Sequence, residues 1–425
     1  MKKKDIPDAG CSMFDARRNR NSRSENHPAT LGLDQTRLRR ARIEDVPFGS
    51  NCVQLPGREW IVVGIIFSVI FCLAPGLSEQ FEKFEPDLDY RLPYELSGDY
   101  WLYNRYCRWA CSRYETLVIG DSVVWGHYVP KDNTLSHYLN ENTGRNQFVN
   151  LGVDGIHPAA LEGLLRYYGR DISGKNVILH LNPLWMSSRK HDLQIEKEHH
   201  FNHPKLVPQF TPAIACYKAS YSTRLSAVVK RYVHFLSWTT HLNITYFQSM
   251  DIPAWTLEHP YENPLEAVRA VREPPLLLPT SDNYDKSRRT SRPGKGPAPD
   301  AAQWVVLQTS LQWRFFRRSV ELLKARGNRV FVLVGPFNEH MLEAEGIGTY
   351  RKMKVEIETW LRQNNVPYYM PPALPSELYR DASHPMSGGY SIIAKQLCEN
   401  ESFRSNILYS SRDFTGVAHP IGRLR

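Results

Sequence analysis

Ser122, Asp381 and His384 are the residues of this chain whose types and settings could do chemistry. Ser122 closes the tripeptide Gly120-Asp-Ser122, directly after the apolar run Thr116-Leu-Val-Ile119, while Asp381 and His384 bracket the string Asp381-Ala-Ser-His384 near the C-terminus. A serine hydroxyl is a weak nucleophile until an imidazole takes its proton. The imidazole in turn works best when a carboxylate fixes its tautomer and stabilises the cation that forms. The spacing of Asp381 and His384 lets one loop present both groups to a serine. By itself a Gly-Asp-Ser tripeptide is ordinarily a turn or a helix cap, so the chemistry depends on distant residues converging and on the segments around them.

The chain order Ser, Asp, His is that of the α/β-hydrolases, but Gly120-Asp-Ser-Val-Val124 breaks their G-x-S-x-G elbow. The segments resemble instead the SGNH (GDSL-like) hydrolase family. Its first block is matched by Val118-Ile-Gly-Asp-Ser-Val-Val-Trp-Gly126 and its second by Asn150-Leu-Gly-Val-Asp-Gly155. The fifth is matched by Asp381-Ala-Ser-His-Pro-Met-Ser-Gly-Gly-Tyr390, the most specific of the matches. At the third block His180-Leu-Asn-Pro183 stands where the family usually has Gly-x-Asn-Asp, so Asn182 is kept while His180 and Pro183 depart from the pattern. The resemblance implies that Ser122 is the nucleophile, His384 its base and Asp381 the orienter. It also implies an oxyanion hole made of the Ser122 backbone N–H, the Gly155 N–H, with Gly152 as the alternative, and the Asn182 amide. Such a site needs neither cofactor nor metal.

Each block falls where an alternating β/α pattern would place it. Thr116–Ile119, Gln147–Leu151, Asn176–Leu181 and Arg329–Val334 are short apolar runs of the kind buried in a parallel sheet, with Asn365–Tyr369 a weaker fifth. Between and after them, helical patterns run over Asn133–Asn142, Pro158–Tyr168, Ala302–Arg326, Tyr350–Asn364 and Gly389–Cys398. Strands alternating with helices imply right-handed crossovers and a three-layer α/β/α sandwich around a mostly parallel five-stranded sheet. In such sheets ligands bind beyond the carboxyl ends of the strands, where Ser122, Gly155 and Asn182 would emerge. The family resemblance adds a flavodoxin-like strand order, 2-1-3-4-5.

The run from Trp60 to Leu77 carries no charge and is long enough to cross a bilayer as a helix. Arg37, Arg39, Arg40, Arg42 and Arg58 precede it, whereas Glu82, Glu85, Asp87 and Asp89 follow. The positive-inside rule therefore predicts a single-pass anchor in the cytoplasmic membrane, with everything after Leu77 on the extracytoplasmic side. A signal peptide cleaved at Gly76-Leu-Ser78 and a buried core helix are the competing readings. The expected organisation is a disordered basic cytoplasmic tail over 1–59, a transmembrane helix over 60–77 and a membrane-proximal linker or helix over 78–114. The hydrolase-like domain then occupies 115–402, with an insertion at 186–300 and a tail over 403–425.

The net charge of +9 lies largely in polar segments without periodicity, and no aromatic-interleaved basic patch suggests nucleic-acid binding. The seven cysteines show no metal-ligand pattern; Cys107, Cys111, Cys216 and Cys398, in the exported portion, could be disulfides or buried thiols. His191, His199, His200 and His203 lack the H-E-x-x-H spacing and are expected in an exposed polar loop, without metal. The insertion leaves the third strand's carboxyl end, so it should cover or border the active site. Its aromatic residues Tyr217, Tyr221, Tyr232, Phe235, Trp238, Tyr246 and Trp255 could stack on sugar rings or form a subdomain core, and one helix is expected over Ser220–Ser237. Arg272–Pro299 reads as a disordered loop.

Taken with the resemblance, these features predict a membrane-anchored serine esterase or O-acyltransferase. Its substrate would be an acylated carbohydrate or another ester, through analogy with anchored members that act on cell-surface polysaccharide. A catalytically inactive SGNH-like binding module and a membrane-tethered interaction protein are the alternatives.

Overall fold

The computed structural model describes residues 56–82, 84–263, 266 and 304–409. Most of the expected tail over 1–59, the expected loop within 272–300 and the residues after 409 lie outside this set. The chain divides into two compact units, Met1–Gly64 and Ile65–Arg425. Of the first, the described part is Pro56 and the opening turns of helix α1 (Gly57–Phe81).

Helix α1 is long and apolar enough to cross a membrane. Its large side chains, among them Ile65, Ile66, Phe67, Ile70 and Leu73, are exposed, which a core helix would not allow. Next comes α2 (Tyr100–Arg113), started by the Asp99 side chain, which accepts from Leu102 N. The segment over 78–114, expected to be a linker or helix beside the membrane, thus contributes a core layer: Leu102, Tyr103, Tyr106, Cys107 and Ala110 of α2 are buried against the sheet.

From there strand and helix alternate. β1 (Thr116–Ile119) leads into the one-turn helix α3 (Ser122–Trp125) and then α4 (Leu135–Thr143), capped by Thr134. β2 (Phe148–Asn150) leads to α5 (Pro158–Tyr167), and β3 (Asn176–Leu181) to the insertion. The insertion carries α6 (Tyr221–Tyr232), α7 (His234–Tyr246) and α8 (Ile252–Glu258). The chain then returns through α9 (Leu311–Ala325), β4 (Arg329–Val334), α10 (Ala344–Gln363), β5 (Tyr368–Tyr369), α11 (Ser387–Glu399) and α12 (Glu401–Phe403).

All four strand pairings are parallel, and the sheet order is β2-β1-β3-β4-β5. β1 and β3 are buried along their whole length, as parallel strands covered on both faces must be. Successive side chains go to opposite faces. Leu117, Ile119, Val177, Leu179, Val330 and Val332 join α2, α5, α9 and α10 in one core; Val118, Ile178, Phe331 and Leu333 join α4 and α11 in the other. Each such side chain contributes about 1.5–3 kcal/mol by leaving water, so the two cores hold the sheet between layers of helices.

Several boundaries differ from the expected ones for identifiable reasons. β5 keeps two residues of the expected Asn365–Tyr369. α9 begins at Leu311 because the Ser310 hydroxyl accepts from Trp313 N, and the preceding Trp304 and Val305 lie outside any helix and are buried. The expected helix Ser220–Ser237 is two helices: Val233 adopts φ −100°, ψ 103° between them, and Ser237 Oγ donates to the Lys230 carbonyl. At the other end, Phe403 and Ile407 fall within the expected tail yet are buried in the second core. The aromatic residues of the insertion are divided: Tyr246 and Trp255 form a small cluster with Phe247, Tyr217 packs on the main core, and Tyr221 and Tyr232 are exposed. Cys72, Cys107, Cys111, Cys216 and Cys398 are free thiols.

Candidate active site

Ser122 sits where β1 stops and α3 starts. The turn is tight: a Cβ on Gly120 would lie 2.6 Å from both His180 Cβ and Val124 Cγ2, so only glycine lets β1 and β3 run this close behind the serine. Asp121 caps α3 by accepting from Val123 N at 3.0 Å, and the Ser122 N–H at the helix start donates to no protein acceptor among the described residues. Such an N–H is one of the orphan donors of a helix terminus.

The C-terminal loop brings the other two groups. Tyr379 and Pro385 pair as an antiparallel bridge, Arg380 N donates to His384 O at 2.8 Å, and Asn338 N, after β4, donates to Ala382 O at 2.8 Å. Asp381 Oδ1 accepts from the backbone N–H of Ser383 and of His384, which turns its carboxylate back onto its own loop. His384 Nδ1 lies 2.8 Å from both Asp381 oxygens, and His384 Nε2 lies 2.8 Å from Ser122 Oγ. The three residues singled out from the sequence therefore form one hydrogen-bonded relay, with geometry suited to removing the hydroxyl proton.

Electrostatics support the same direction of proton flow. Burial would raise the Asp381 carboxyl, but the hydrogen bond and charge of His384 and two backbone N–H groups bring it down to about 2. Burial disfavours the charged form of His384. The Asp381 hydrogen bond and charge, aided by Asp121 and Asp154, outweigh that effect and raise its pKa above the ordinary histidine value. The ring is thereby a stronger base than a free imidazole.

The other two sequence candidates lie on the adjoining loops. Hydrogen bonds continue past the ends of the strands, from Leu151 N to Val118 O and from Val153 N to Gly120 O, so the Asn150–Gly155 segment follows the Ser122 turn. Asn150 Nδ2 donates to Val124 O of α3, and Asn150 Oδ1 accepts from Gly152 N. That engages the Gly152 N–H, whereas the Gly155 N–H has no protein acceptor among the described residues. Gly155 has φ +67°, where an L side chain is strained, and a Cβ there would displace the Asn202 amide of the insertion, so the position favours glycine. Asn182 Oδ1 accepts from Leu184 N, and its Nδ2 donates to Asp121 Oδ2 at 2.8 Å. The amide has two hydrogens, and the Asp121 contact uses one.

Asp121 is the residue that sequence reasoning passed over. Besides Val123 N and Asn182 it accepts from Trp185 Nε1 at 2.9 Å, and His180 Nδ1 lies 3.1 Å away at ion-pair distance. Burial pushes its carboxyl up, but the His180 ring and the Asn182 and Trp185 hydrogen bonds bring it down to about 2. His180, a departure from the family pattern, thus faces the carboxylate that orients Asn182. A second pair, His127 Nδ1 and Asp154 Oδ1 at 2.5 Å, borders the relay, with the His127 ring centroid 5.1 Å from that of His384. Neither pair has a sequence signal beyond residue type, because both depend on loops from separate strands.

Of the four insertion histidines expected on an exposed loop, His200 is exposed and His191 and His199 are half-buried, but one differs from expectation. His203, expected on an exposed loop, is buried: its Nε2 donates to Asp154 O, and its Nδ1 lies 3.1 Å from Tyr100 Oη. The insertion reaches back to the second block through this residue and Asn202, which is why His203 is desolvated. Among the described residues no three His, Cys, Asp or Glu side chains are grouped to hold a metal ion. The sequence matches no protein-family model and no curated protein.

Proposed function

We propose that this chain is a membrane-anchored serine esterase or O-acyltransferase of the SGNH type. The observation that carries the reading is the unbroken relay from Ser122 Oγ through His384 to Asp381, each step at 2.8 Å. His384 Nε2 takes the Ser122 proton as Oγ attacks the acyl carbon. The oxyanion is held by the Ser122 and Gly155 N–H groups and the second hydrogen of the Asn182 amide. The imidazolium then returns its proton to the leaving alcohol as the ester C–O bond breaks, giving an acyl-Ser122 intermediate. Water, or the hydroxyl of an acceptor, loses its proton to His384 and attacks that intermediate, releasing the acid or the transferred ester and restoring the serine. No metal or cofactor enters these steps.

The resemblance extends the proposal to O-acyl groups, acetyl foremost, on a cell-surface polysaccharide, with α1 holding the enzyme to the extracytoplasmic face of the cytoplasmic membrane. The arginines before α1 and the carboxylates after it favour that orientation. The test is a fluorophosphonate probe applied to the full-length chain. Covalent labelling should map to Ser122 and vanish in Ser122→Ala, and a folded wild-type protein that resists the probe would overturn the assignment. Membrane fractionation decides the anchor: a soluble mature form starting near Glu79 would replace it with a cleaved signal.

A further inference from the structure

Helix α1 meets the insertion well inside its apolar run. The Phe71 ring stacks on Phe235 of α7 with centroids 4.6 Å apart, and Trp238 packs on Phe235 at 5.4 Å. An α-helix rises 1.5 Å per residue, so Phe71 lies about 9 Å before the end of the run at Leu77. With α1 across a bilayer, Phe235 is drawn below the headgroups.

Helix α6, which leads into this contact, has a largely exposed apolar face, on which Tyr221 touches the Phe210 ring and Tyr232 the Tyr167 ring. Tyr221, Leu225 and Tyr232 are 71%, 45% and 66% exposed, and their spacing of four and seven residues puts them on one stripe. The other side buries Ala227 and Arg231, so the helix is fixed with that stripe outward. Its last member, Tyr232, is three residues before Phe235, so the stripe leads in sequence to the residue that meets α1. Two amphipathic tyrosines on such a stripe suit a membrane–water boundary.

A cavity of about 290 Å³ opens beside the same turn, and Arg108, Arg170, Lys230 and His234 line it with Asp171 as its carboxylate. Arg108 is ion-paired with Glu79, 2.6 Å away, whereas no acidic side chain pairs with Arg170 or Lys230 among the described residues. Glu79 fixes the cavity's height: two residues past Leu77 is about 3 Å beyond the apolar run, the level of lipid phosphates.

The geometry points to the insertion as a monotopic foot. Its α6 stripe and the turn into α7 are seated in the leaflet on the catalytic side, and the cationic cavity takes the phosphate of an anionic phospholipid headgroup. This rests on reading α1 as a membrane span, and the experiment separates the two. The full-length chain is reconstituted in nanodiscs of phosphatidylcholine and phosphatidylglycerol that contain a phospholipid with a diazirine in its upper acyl chain, and photoadducts are mapped by mass spectrometry. Adducts are expected within 60–77 and also on Tyr221, Leu225 or Tyr232. Adducts confined to 60–77 overturn the foot and leave the span; adducts in neither overturn the span itself.

The cavity is tested by native mass spectrometry of the chain released into mild detergent. Retained phosphatidylglycerol should exceed phosphatidylcholine, and Arg170→Ala with Lys230→Ala should cut that retention about tenfold or more, since each removes a charge-assisted phosphate contact. Equal retention of the two lipids, or no change in a variant that keeps the wild-type melting midpoint, overturns the headgroup site.

Discussion

At His384 one ring nitrogen meets a carboxylate and the other a hydroxyl; at His241 both nitrogens meet carboxylates. His241 Nδ1 lies 2.6 Å from Asp99 and Nε2 lies 3.2 Å from Glu82, while Trp101 stacks on the ring at 4.3 Å. Arg105 and Tyr246 also bind Glu82, and all three groups of the triad are fully or almost fully buried. Burial pushes the His241 imidazolium down, but Asp99 and Glu82 outweigh it and raise the pKa to about 9. Such a ring stays charged at neutral pH and holds α7, the start of α2 and the end of α1 together. His384 has one carboxylate and a neighbour that can give it a proton, so its charge can change when that proton moves. A histidine between two acids is a clasp, and a histidine between an acid and an alcohol can be a base.

The comparison can be broken most sharply at the alcohol. Ser122→Ala should lower hydrolysis of p-nitrophenyl acetate by about 10⁴–10⁶ without moving the melting temperature; activity equal to wild type would remove the nucleophile assignment. Asp381→Asn should follow, with a loss of about 10⁴ in kcat, because the imidazole loses its orienter. The pH profile adds a sign. The rate should rise as His384 deprotonates, with the rising limb of the wild type above the ordinary histidine value and that of Asp381→Asn displaced to lower pH. An unmoved limb would detach Asp381 from His384.

At the clasp, the loss should appear in stability. His241→Gln leaves Asp99 and Glu82 without their shared cation, and breaking a buried pair in this way costs about 3–5 kcal/mol. Thermal unfolding should register that loss while kcat per folded molecule stays unchanged. A pKa raised on folding stabilises below the unfolded value of 6.5 and is lost as pH rises through about 9, so wild-type melting should fall across that interval and the His241→Gln curve should be flatter there. Asn182→Ala should have the smallest effect, roughly 10²–10³ in kcat for one oxyanion donor. Equal kcat in that variant would confine Asn182 to its bond with Asp121.

Much of the frame was legible because local rules act on contiguous residues. The β1, β3 and β4 boundaries follow from apolar runs that end at turn residues, and the serine, aspartate and histidine stood out because their types and their neighbours are distinctive. The break at Val233 was not legible, since a helical pattern runs through it, while in the fold Val233 leaves the helical conformation and Ser237 Oγ donates to the Lys230 carbonyl across the break. His203 reads as polar in sequence and becomes interior because Asp154 and Tyr100 supply its partners from other elements.

The sequence by itself determined the alternation of strands and helices, the apolar length of α1 and the three residues able to form a proton relay, all properties of residue type and near spacing. The tertiary structure decided which histidine faces an alcohol and which is locked between acids, that Asp121 orients Asn182, and that Gly155 rather than Gly152 keeps its N–H unengaged. Those outcomes depend on distances between segments far apart in the chain, and such distances exist only once packing has fixed the loops relative to one another.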